Sequence, residues 1–290
     1  MTETHIPAVM CFSGNDPSGG AGISADIQTI SSQGGHCIPI ITALTTQDSV
    51  DIYSIATVEP NLITDQARTI LQDMPISVFK IGLLGSVGVI EAIGDILAAY
   101  PSIPVVLDPV LASGLGTDIA DDEVIDALKN ILLPQTTVLT PNTLEAERLT
   151  IDANNNHDRA MQLLQAGCEY VLITGTHDAT KEVINQLYYA DRLLDSSNWE
   201  RLNGSYHGSG CTLAAAIAGL LAQRLDPMAA CYEGQKYTWN ALKNGYPLGK
   251  GQLMPDRFFW ANEDEAQDEQ GDELENEPAN DPENEPENKK

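Results

Sequence analysis

The chain alternates short, continuously apolar runs with longer segments of helical periodicity, and this alternation limits the folds that it can adopt. The apolar runs lack the in–out alternation of a sheet with one wet face, so each predicts a strand buried on both faces. Such strands, separated by helices, predict an α/β fold: a three-layer sandwich with helices on both faces of a mainly parallel sheet. The predicted strands are residues 8–12, 37–43, 78–83, 105–107, 138–139, 170–174 and 184–189. The predicted helices lie near residues 22–33, 62–72, 87–100, 122–131, 143–149, 157–166, 211–223 and 227–243.

Length, hydropathy and cysteine usage narrow the class of protein. The 290 residues are enough to bury a large core. No apolar run is long enough to span a membrane, and the polar N-terminus lacks the basic region of a signal peptide. The five cysteines are scattered and form no C-x-x-C pair. Reduced thiols and a cytoplasmic location are therefore expected, and both a disulfide framework and a zinc site are disfavoured.

The net charge of −27 divides unevenly along the chain. Residues 261–290 hold 13 acidic and two basic residues with almost nothing apolar, so they predict a disordered, solubilising tail behind a single domain of residues 1–260. The alternative to a solubilising role is that the tail binds a specific partner. The remaining 29 acidic and 13 basic residues disfavour nucleic acid or an anionic membrane as partners. A phosphate site would depend on backbone amides, a metal ion and a few local cations.

A glycine-rich turn leads into an alanine-rich segment where residues 207–212 read His-Gly-Ser-Gly-Cys-Thr. A helix that begins here exposes unpaired N–H groups at the positive end of its dipole, which predicts an anion site built on Gly208, Ser209 and Gly210. The same field lowers the pKa of a thiol, so Cys211 is a candidate base or nucleophile. The alternative is a plain helix cap with a small buried cysteine.

Five further segments occur in a fixed order. They read Ser-Gly-Asn-Asp-Pro-Ser-Gly-Gly-Ala-Gly-Ile at 13–23, Thr-Ala-Leu-Thr-Thr-Gln at 42–47, Lys-Ile-Gly-Leu-Leu at 80–84, Asp-Pro-Val at 108–110 and Thr-Pro-Asn at 140–142. With residues 207–212, they give about residues 7–245 a specific resemblance to the hydroxymethylpyrimidine/phosphomethylpyrimidine kinases of thiamine biosynthesis, in the ribokinase-like superfamily.

This resemblance implies an ATP-dependent kinase that acts on the primary hydroxyl of 4-amino-5-hydroxymethyl-2-methylpyrimidine and then on its monophosphate. It also implies ATP and Mg²⁺ as cofactors and a homodimer. Pyridoxal or pyridoxine kinase activity is the nearest alternative, because both substrates are flat hydroxymethyl heterocycles. A catalytically silent pyrimidine-binding protein is the other.

The resemblance also assigns a pyrimidine pocket. Its implied members are Gly14, Ala21, Asp26, Gln47, Leu83 and Val110. The planar carboxamide of Gln47 offers a donor and an acceptor, which suits an aminopyrimidine edge. Each residue has a plainer interpretation as well. The glycine serves a tight turn, Asp26 lies in a first helical turn, Gln47 belongs to an exposed loop, and Leu83 and Val110 are core residues at strand ends.

Two carboxylates are candidates for a magnesium site. Asp108 ends an apolar strand, and Glu145 stands three residues after Asn142, as in the N-x-x-E element of the superfamily. Mg²⁺ prefers oxygen ligands and keeps several waters, so one or two carboxylates suffice. Asn142 and Glu145 are also compatible with a helix N-cap and its N3 glutamate. The resemblance assigns Asn142, Thr174 and Gly210 to the nucleotide.

The chain lacks two lysines that its relatives often carry. Thr174-Gly175-Thr176-His177 stands where relatives often have Lys-Gly-Gly-His, and residues 108–116 lack the lysine that often follows Asp-Pro-Val. Lys80 and Lys181 are possible substitutes. In the implied mechanism Cys211 takes the alcohol proton, and Gly208, Ser209 and Gly210 present amides to the transferring phosphate.

Overall fold

The computed structural model describes residues 6–112, 116 and 118–261. The chain divides into two units, Met1–Arg257 and Phe258–Lys290. The first unit contains all the strands and helices named below. The predicted tail lies outside the described residues from position 262 onward.

The described residues form one nine-stranded sheet in the order β3-β2-β1-β4-β5-β6-β7-β8-β9. Its strands are β1 (Ala8–Asn15), β2 (His36–Gln47), β3 (Ile52–Thr57), β4 (Val78–Ile81), β5 (Val105–Leu107), β6 (Val138–Leu139), β7 (Tyr170–Ile173), β8 (Glu182–Tyr189) and β9 (Arg192–Glu200). The six central strands of this order, β2, β1, β4, β5, β6 and β7, are parallel. At the two edges, β3, β8 and β9 pair antiparallel. The seven predicted strands are confirmed. The sequence prediction missed β3 and β9, whose side chains are mostly exposed and so leave no continuous apolar run.

Eight α-helices were predicted, and the described residues contain all of them. They are α1 (Gly22–Ser32), α2 (Pro60–Asp73), α3 (Val87–Ala99), α4 (Asp122–Ala127), α5 (Thr143–Leu149), α6 (Asn156–Gln165), α7 (Ser209–Ala222) and α8 (Pro227–Lys243). The helical path of α4 continues through a π turn at Leu128–Leu132. Within the described part of the chain, no helix is both long and apolar enough to cross a membrane.

Helices cover both faces of the sheet, as the uninterrupted apolar strands predict. Along β1, Met10 and Phe12 face a core shared with α2 to α6, whereas Val9 and Cys11 face a core shared with α1, α7 and α8. The three-layer α/β prediction is therefore confirmed. Small side chains make the second core tight, since a Cβ at Gly234 in α8 would lie 2.7 Å from the Ile217 side chain of α7. This packing holds the first turn of α7 at the carboxyl ends of the central strands, where open α/β sheets bind ligands.

Candidate active site

A cavity of about 550 Å³ opens at the carboxyl ends of the parallel strands. Thirteen of the fourteen site residues predicted from the sequence line it: Gly14, Ala21, Gln47, Leu83, Asp108, Val110, Asn142, Glu145, Thr174, Gly208, Ser209, Gly210 and Cys211. They come from strand ends and loops throughout the first unit, which the parallel topology gathers at one edge of the sheet. Their individual roles stay predictions.

The turn before α7 has the geometry of an anion site. Gly208 adopts left-handed backbone angles, with φ 70° and ψ 24°, and a Cβ there would overlap the carbonyl oxygen of Gly20. Only glycine meets both demands without strain. The Gly208 carbonyl accepts hydrogen bonds from the backbone N–H (2.9 Å) and the hydroxyl (2.8 Å) of Thr212. The first N–H groups of α7 are left without intrahelical partners, as at any helix start, and can bind an anion.

Cys211 lies in the first turn of α7, yet burial raises the pKa of its thiol to about 12. The nearby Lys80 ammonium lowers this pKa, while Asp108 and Asp26 raise it. The expectation of a lowered thiol pKa is therefore wrong for this structure, because desolvation outweighs the helix dipole. Cys211 is a protonated thiol near neutral pH.

Asp108 and Glu145 form a pair of buried acids. Burial raises the pKa of Asp108 to about 6 and that of Glu145 to about 8, and the charge of Asp108 contributes to the second shift. Glu145 Oε2 accepts the Asn142 N–H at 2.9 Å, completing a capping box, so the cap interpretation is confirmed.

Asp108 Oδ2 has no hydrogen-bond partner, and a Cβ at Gly210 would lie 3.7 Å from it. This free oxygen on an acidic wall fits a hard cation such as Mg²⁺. Among the described residues, no group of three or more histidine, cysteine, aspartate or glutamate side chains could hold a metal.

Asp26 is the predicted pocket residue that does not line the cavity. It is fully buried in α1, where its Oδ1 lies 2.8 Å from Lys80 Nζ and its Oδ2 accepts the Ser13 hydroxyl at 2.6 Å. Burial lowers the pKa of Lys80, but the charge of Asp26, together with smaller contributions from Cys211, Asp108 and Cys11, outweighs this and raises it above the ordinary value. The structure therefore places Asp26 beneath the cavity floor as the counter-ion of Lys80.

The end of the cavity that is predicted to hold the pyrimidine includes Gln47, Leu83 and Val110. Gln47 is the last residue of β2, pairs with Ile52 across an irregularity in the ladder, and is half-buried. The exposed-loop alternative for Gln47 is therefore wrong. Leu83 packs on the bare backbone of Gly14, where a Cβ would lie 2.8 Å from Leu83 Cδ2. Val110 lies across the same cavity.

A contact between the two glycine-rich loops was missed by the sequence analysis. His207 Nε2 lies 2.9 Å from Asp16 Oδ2, which also accepts the Ala21 N–H at 2.7 Å. Burial raises the pKa of Asp16, but hydrogen bonds from His207 and Ser18 outweigh this and lower it to about 2. Asp16 therefore joins the glycine-rich loop after β1 to the turn before α7.

The other end of the cavity is aromatic and was also missed. Asn142 and Thr174 form a parallel bridge there, next to Gly175. The rings of Trp199 and Trp239 line this end with centroids 6.4 Å apart. Trp199 lies on the unpredicted strand β9 and belongs to no motif, so no sequence signal could have placed it.

A family model described as phosphomethylpyrimidine kinase matches residues 16–256. The chain belongs to the phosphomethylpyrimidine kinase family.

Curated relatives in this family match most of the chain. The hydroxymethylpyrimidine/phosphomethylpyrimidine kinase of Mycobacterium tuberculosis is 32% identical over 251 residues, 84% of this chain and 91% of that protein. The protein of the same description in Escherichia coli is 31% identical over 248 residues, 83% of this chain and 93% of that protein. The thiamine biosynthesis bifunctional protein ThiED of Geobacter sulfurreducens is 34% identical over 255 residues, and the match covers 51% of its length.

Solved structures confirm the ribokinase-like fold. An ADP complex of Bacillus subtilis pyridoxal kinase has a TM-score of 0.80 at 26% identity, covering 89% of this chain and 100% of that one. The phosphomethylpyrimidine kinase of Clostridium difficile has a TM-score of 0.70 at 30% identity, covering 81% of this chain and 98% of that one.

Neither lysine suggested as a substitute for the missing family lysines reaches the cavity. Lys80 is fully buried beneath its floor, and Lys181 is exposed and absent from the cavity wall. Among the described residues that line the cavity, Arg201 is the one lysine or arginine.

Proposed function

We propose that this chain is an ATP-dependent kinase of thiamine diphosphate biosynthesis. It phosphorylates 4-amino-5-hydroxymethyl-2-methylpyrimidine and then the resulting monophosphate. The observation that carries the proposal is one cavity whose wall includes Gln47, Leu83 and Val110 as well as the turn before α7. The family membership and the activities for which the relatives are named support it.

At the pyrimidine end, the side chains bind and orient the acceptor. The Gln47 carboxamide matches the amino group and ring nitrogen of the pyrimidine edge. Leu83 and Val110 lie on the cavity wall as apolar surfaces for the ring, and Gly14 leaves room for close approach. Holding the hydroxymethyl group near the anion loop converts the transfer into an effectively intramolecular step.

At the transfer point, backbone amides provide most of the electrostatic stabilisation. The amides of Gly208, Ser209 and Gly210 stabilise the negative charge of the transferring phosphoryl group. Cys211 is the proposed base for the alcohol proton. It accepts that proton as the thiolate, which is the minor form near neutral pH because burial raises the pKa of the thiol to about 12.

At the nucleotide end, Asn142 and Thr174 bind the nucleotide together with Gly210, beside the Trp199 and Trp239 rings. Asp108 and Glu145 would hold Mg²⁺, since the free Asp108 Oδ2 and the buried acid pair fit a hard cation. When bound, Mg²⁺ would neutralise charge on the phosphate oxygens.

The deciding experiment is a coupled assay for ADP release with three acceptors: the pyrimidine alcohol, its monophosphate and pyridoxal. We expect turnover of both pyrimidines. Pyridoxal kinase activity is the second candidate, because the pyridoxal kinase fold of Bacillus subtilis superimposes with a TM-score of 0.80. Turnover of pyridoxal alone would favour that candidate. Thermal stabilisation by pyrimidine without ADP release would indicate a silent binding protein.

The Gln47→Ala variant tests the orientation of the acceptor. We expect KM for the pyrimidine to rise by about 10-fold or more, because a buried partner loses its hydrogen bonds, while KM for ATP changes little. Equal changes in both KM values would contradict the assignment.

The cytoplasm is the proposed compartment, since all five cysteines are free thiols. We also propose a homodimer, on the family resemblance alone. Sedimentation of the purified protein tests this.

A further inference from the structure

The cavity wall is rich in carboxylates and poor in fixed cations. Asp16, Asp108, Glu145 and Glu200 all line it, whereas Arg201 is the one lysine or arginine among the described lining residues. A polyphosphate that enters this cavity lies among acidic side chains in a chain whose net charge is −27. Backbone amides and a bound Mg²⁺ would offset part of this repulsion, and Arg201 is the fixed cation on the described wall that can add to them.

Arg201 follows directly after β9 and is held by neutral oxygens. Its Nε donates to the Thr180 carbonyl at 3.0 Å, and its Nη1 donates to the Thr176 carbonyl at 2.8 Å. Its Nη2 donates to the Asp178 carbonyl at 2.9 Å and to the Gly175 carbonyl at 3.4 Å. None of the ion pairs between described residues involves Arg201, so its charge is not neutralised by a carboxylate.

These acceptors place the guanidinium beside the nucleotide end of the cavity. Gly175 follows Thr174, which bridges to Asn142, and the Thr143 N–H donates to the Thr174 carbonyl at 3.1 Å. Two N–H groups belong to Nη1, and the Thr176 carbonyl takes one of them in the described structure. The other is available to a phosphate oxygen.

We propose that Arg201 is a nucleotide-binding residue that supplies the fixed positive charge for the polyphosphate of ATP. The segment that it braces, Thr174-Gly175-Thr176-His177, is the one in which relatives often carry a lysine. The inference rests on the proposed function, because it assumes that ATP occupies this cavity. A brace that only shapes the loop would affect all parts of the nucleotide equally, whereas a phosphate-binding cation affects only the phosphates.

The test measures the affinity of the full chain for ATP, ADP and adenosine by calorimetry, without any acceptor. We expect Arg201→Met to weaken the affinity for ATP and for ADP by about 10-fold or more, as for the loss of a charged hydrogen bond. The affinity for adenosine should stay within about twofold of the wild type. The affinity of the wild type for ATP should fall with added KCl, and Arg201→Met should reduce that salt dependence. Arg201→Lys should restore part of the ATP affinity, because it keeps the charge but loses the planar fork.

Lys181→Met is the matched control. It removes a cation from the same loop that does not line the cavity, so all three affinities should stay unchanged. Melting temperatures show whether each variant is folded at the temperature of the measurement.

Two results would overturn the role of Arg201. One is an equal loss for adenosine and ATP, which indicates a loop brace only. The other is an unchanged ATP affinity in Arg201→Met. A wild type that binds ADP but phosphorylates no acceptor would refute the proposed function and leave the role of Arg201 to the binding data. A wild type that binds no nucleotide would overturn both.

Discussion

Burial decides the protonation states of the side chains around the transfer point. The thiol of Cys211 and the acids Asp108 and Glu145 all have raised pKa values, and desolvation is the largest cause for each. Lys80 opposes this effect from below, since its charge lowers the pKa of both Cys211 and Asp108. The pKa values of Cys211 and Asp108 therefore depend on Lys80, a cation that does not line the cavity.

The raised thiol pKa makes a prediction about pH. Because the thiolate fraction of a group with a pKa of about 12 rises about tenfold per pH unit through neutrality, alkylation of Cys211 in the free protein should be slow at pH 7 and accelerate steadily to pH 10. Mass spectrometry of iodoacetamide-treated protein measures the rate at this site. A plateau below pH 8 would contradict the raised pKa.

Replacing Cys211 tests its role separately. If it takes the alcohol proton, Cys211→Ala should lower kcat by about 10²-fold, the usual contribution of a general base. Single-turnover kinetics at saturating substrates measure this loss. An alanine variant with nearly full kcat would exclude Cys211 as the base.

The Lys80–Asp26 pair makes a prediction about stability. Lys80→Met leaves the Asp26 carboxylate buried without a counter-ion, and we expect a loss of about 3–5 kcal/mol in the free energy of unfolding. The double variant Lys80→Met/Asp26→Asn should recover a large part of this, because no uncompensated charge remains. Urea denaturation of the wild type, both single variants and the double variant gives the coupling energy. Additive losses would argue against a coupled pair.

At the scale of elements, two loops and one helix start form the site together. The glycine-rich loop after β1 and the anion loop before α7 touch where Gly208 meets the Gly20 carbonyl. The Asp16–His207 contact joins them on one side. Arg257 joins them on another, because its Nη2 donates to the Gly20 carbonyl and its Nε donates to the Thr212 hydroxyl at 3.0 Å.

The close approach of these loops predicts the effect of a single methyl group. Gly208→Ala places a Cβ against the Gly20 carbonyl and forces an L-residue into left-handed angles, at a cost of about 1–3 kcal/mol for the backbone alone. We expect kcat to fall sharply, because the anion loop must shift. Gly34→Ala is the control, since Gly34 also has a positive φ, 80°, but a Cβ there would lie within 4 Å of no described residue. Equal kcat losses in the two variants would argue against a specific role for the contact.

At the scale of the whole molecule, the boundary of the catalytic unit falls near Arg257. This side chain is 2% exposed and binds groups of both site loops, whereas the acidic tail begins a few residues later. A chain that ends at Trp260 should keep kcat, KM and melting temperature near those of the full chain and lose some solubility. A chain that ends at Asp256 should lose activity, because it lacks Arg257.

Kinetics and differential scanning calorimetry of these two truncated chains and the full chain test this boundary. A several-fold change in KM for ATP on removal of the tail, larger at low salt, would show instead that the tail acts on the nucleotide site.

The sequence by itself determined the features that contiguous residues encode. Apolar runs and helical periodicity predicted the parallel sheet and its covering helices, and the run from His207 to Thr212 predicted the anion loop of α7. The tertiary structure decided what depends on residues far apart in the chain. It placed Cys211 beside Asp108, where desolvation reverses the expected pKa shift, and it paired Asp16 with His207, 191 positions away. It also paired Asp26 with Lys80 beneath the cavity and placed Arg201 on the cavity wall. The reason is physical: helix and strand patterns are local, but desolvation and charge pairing depend on which distant side chains the fold brings together.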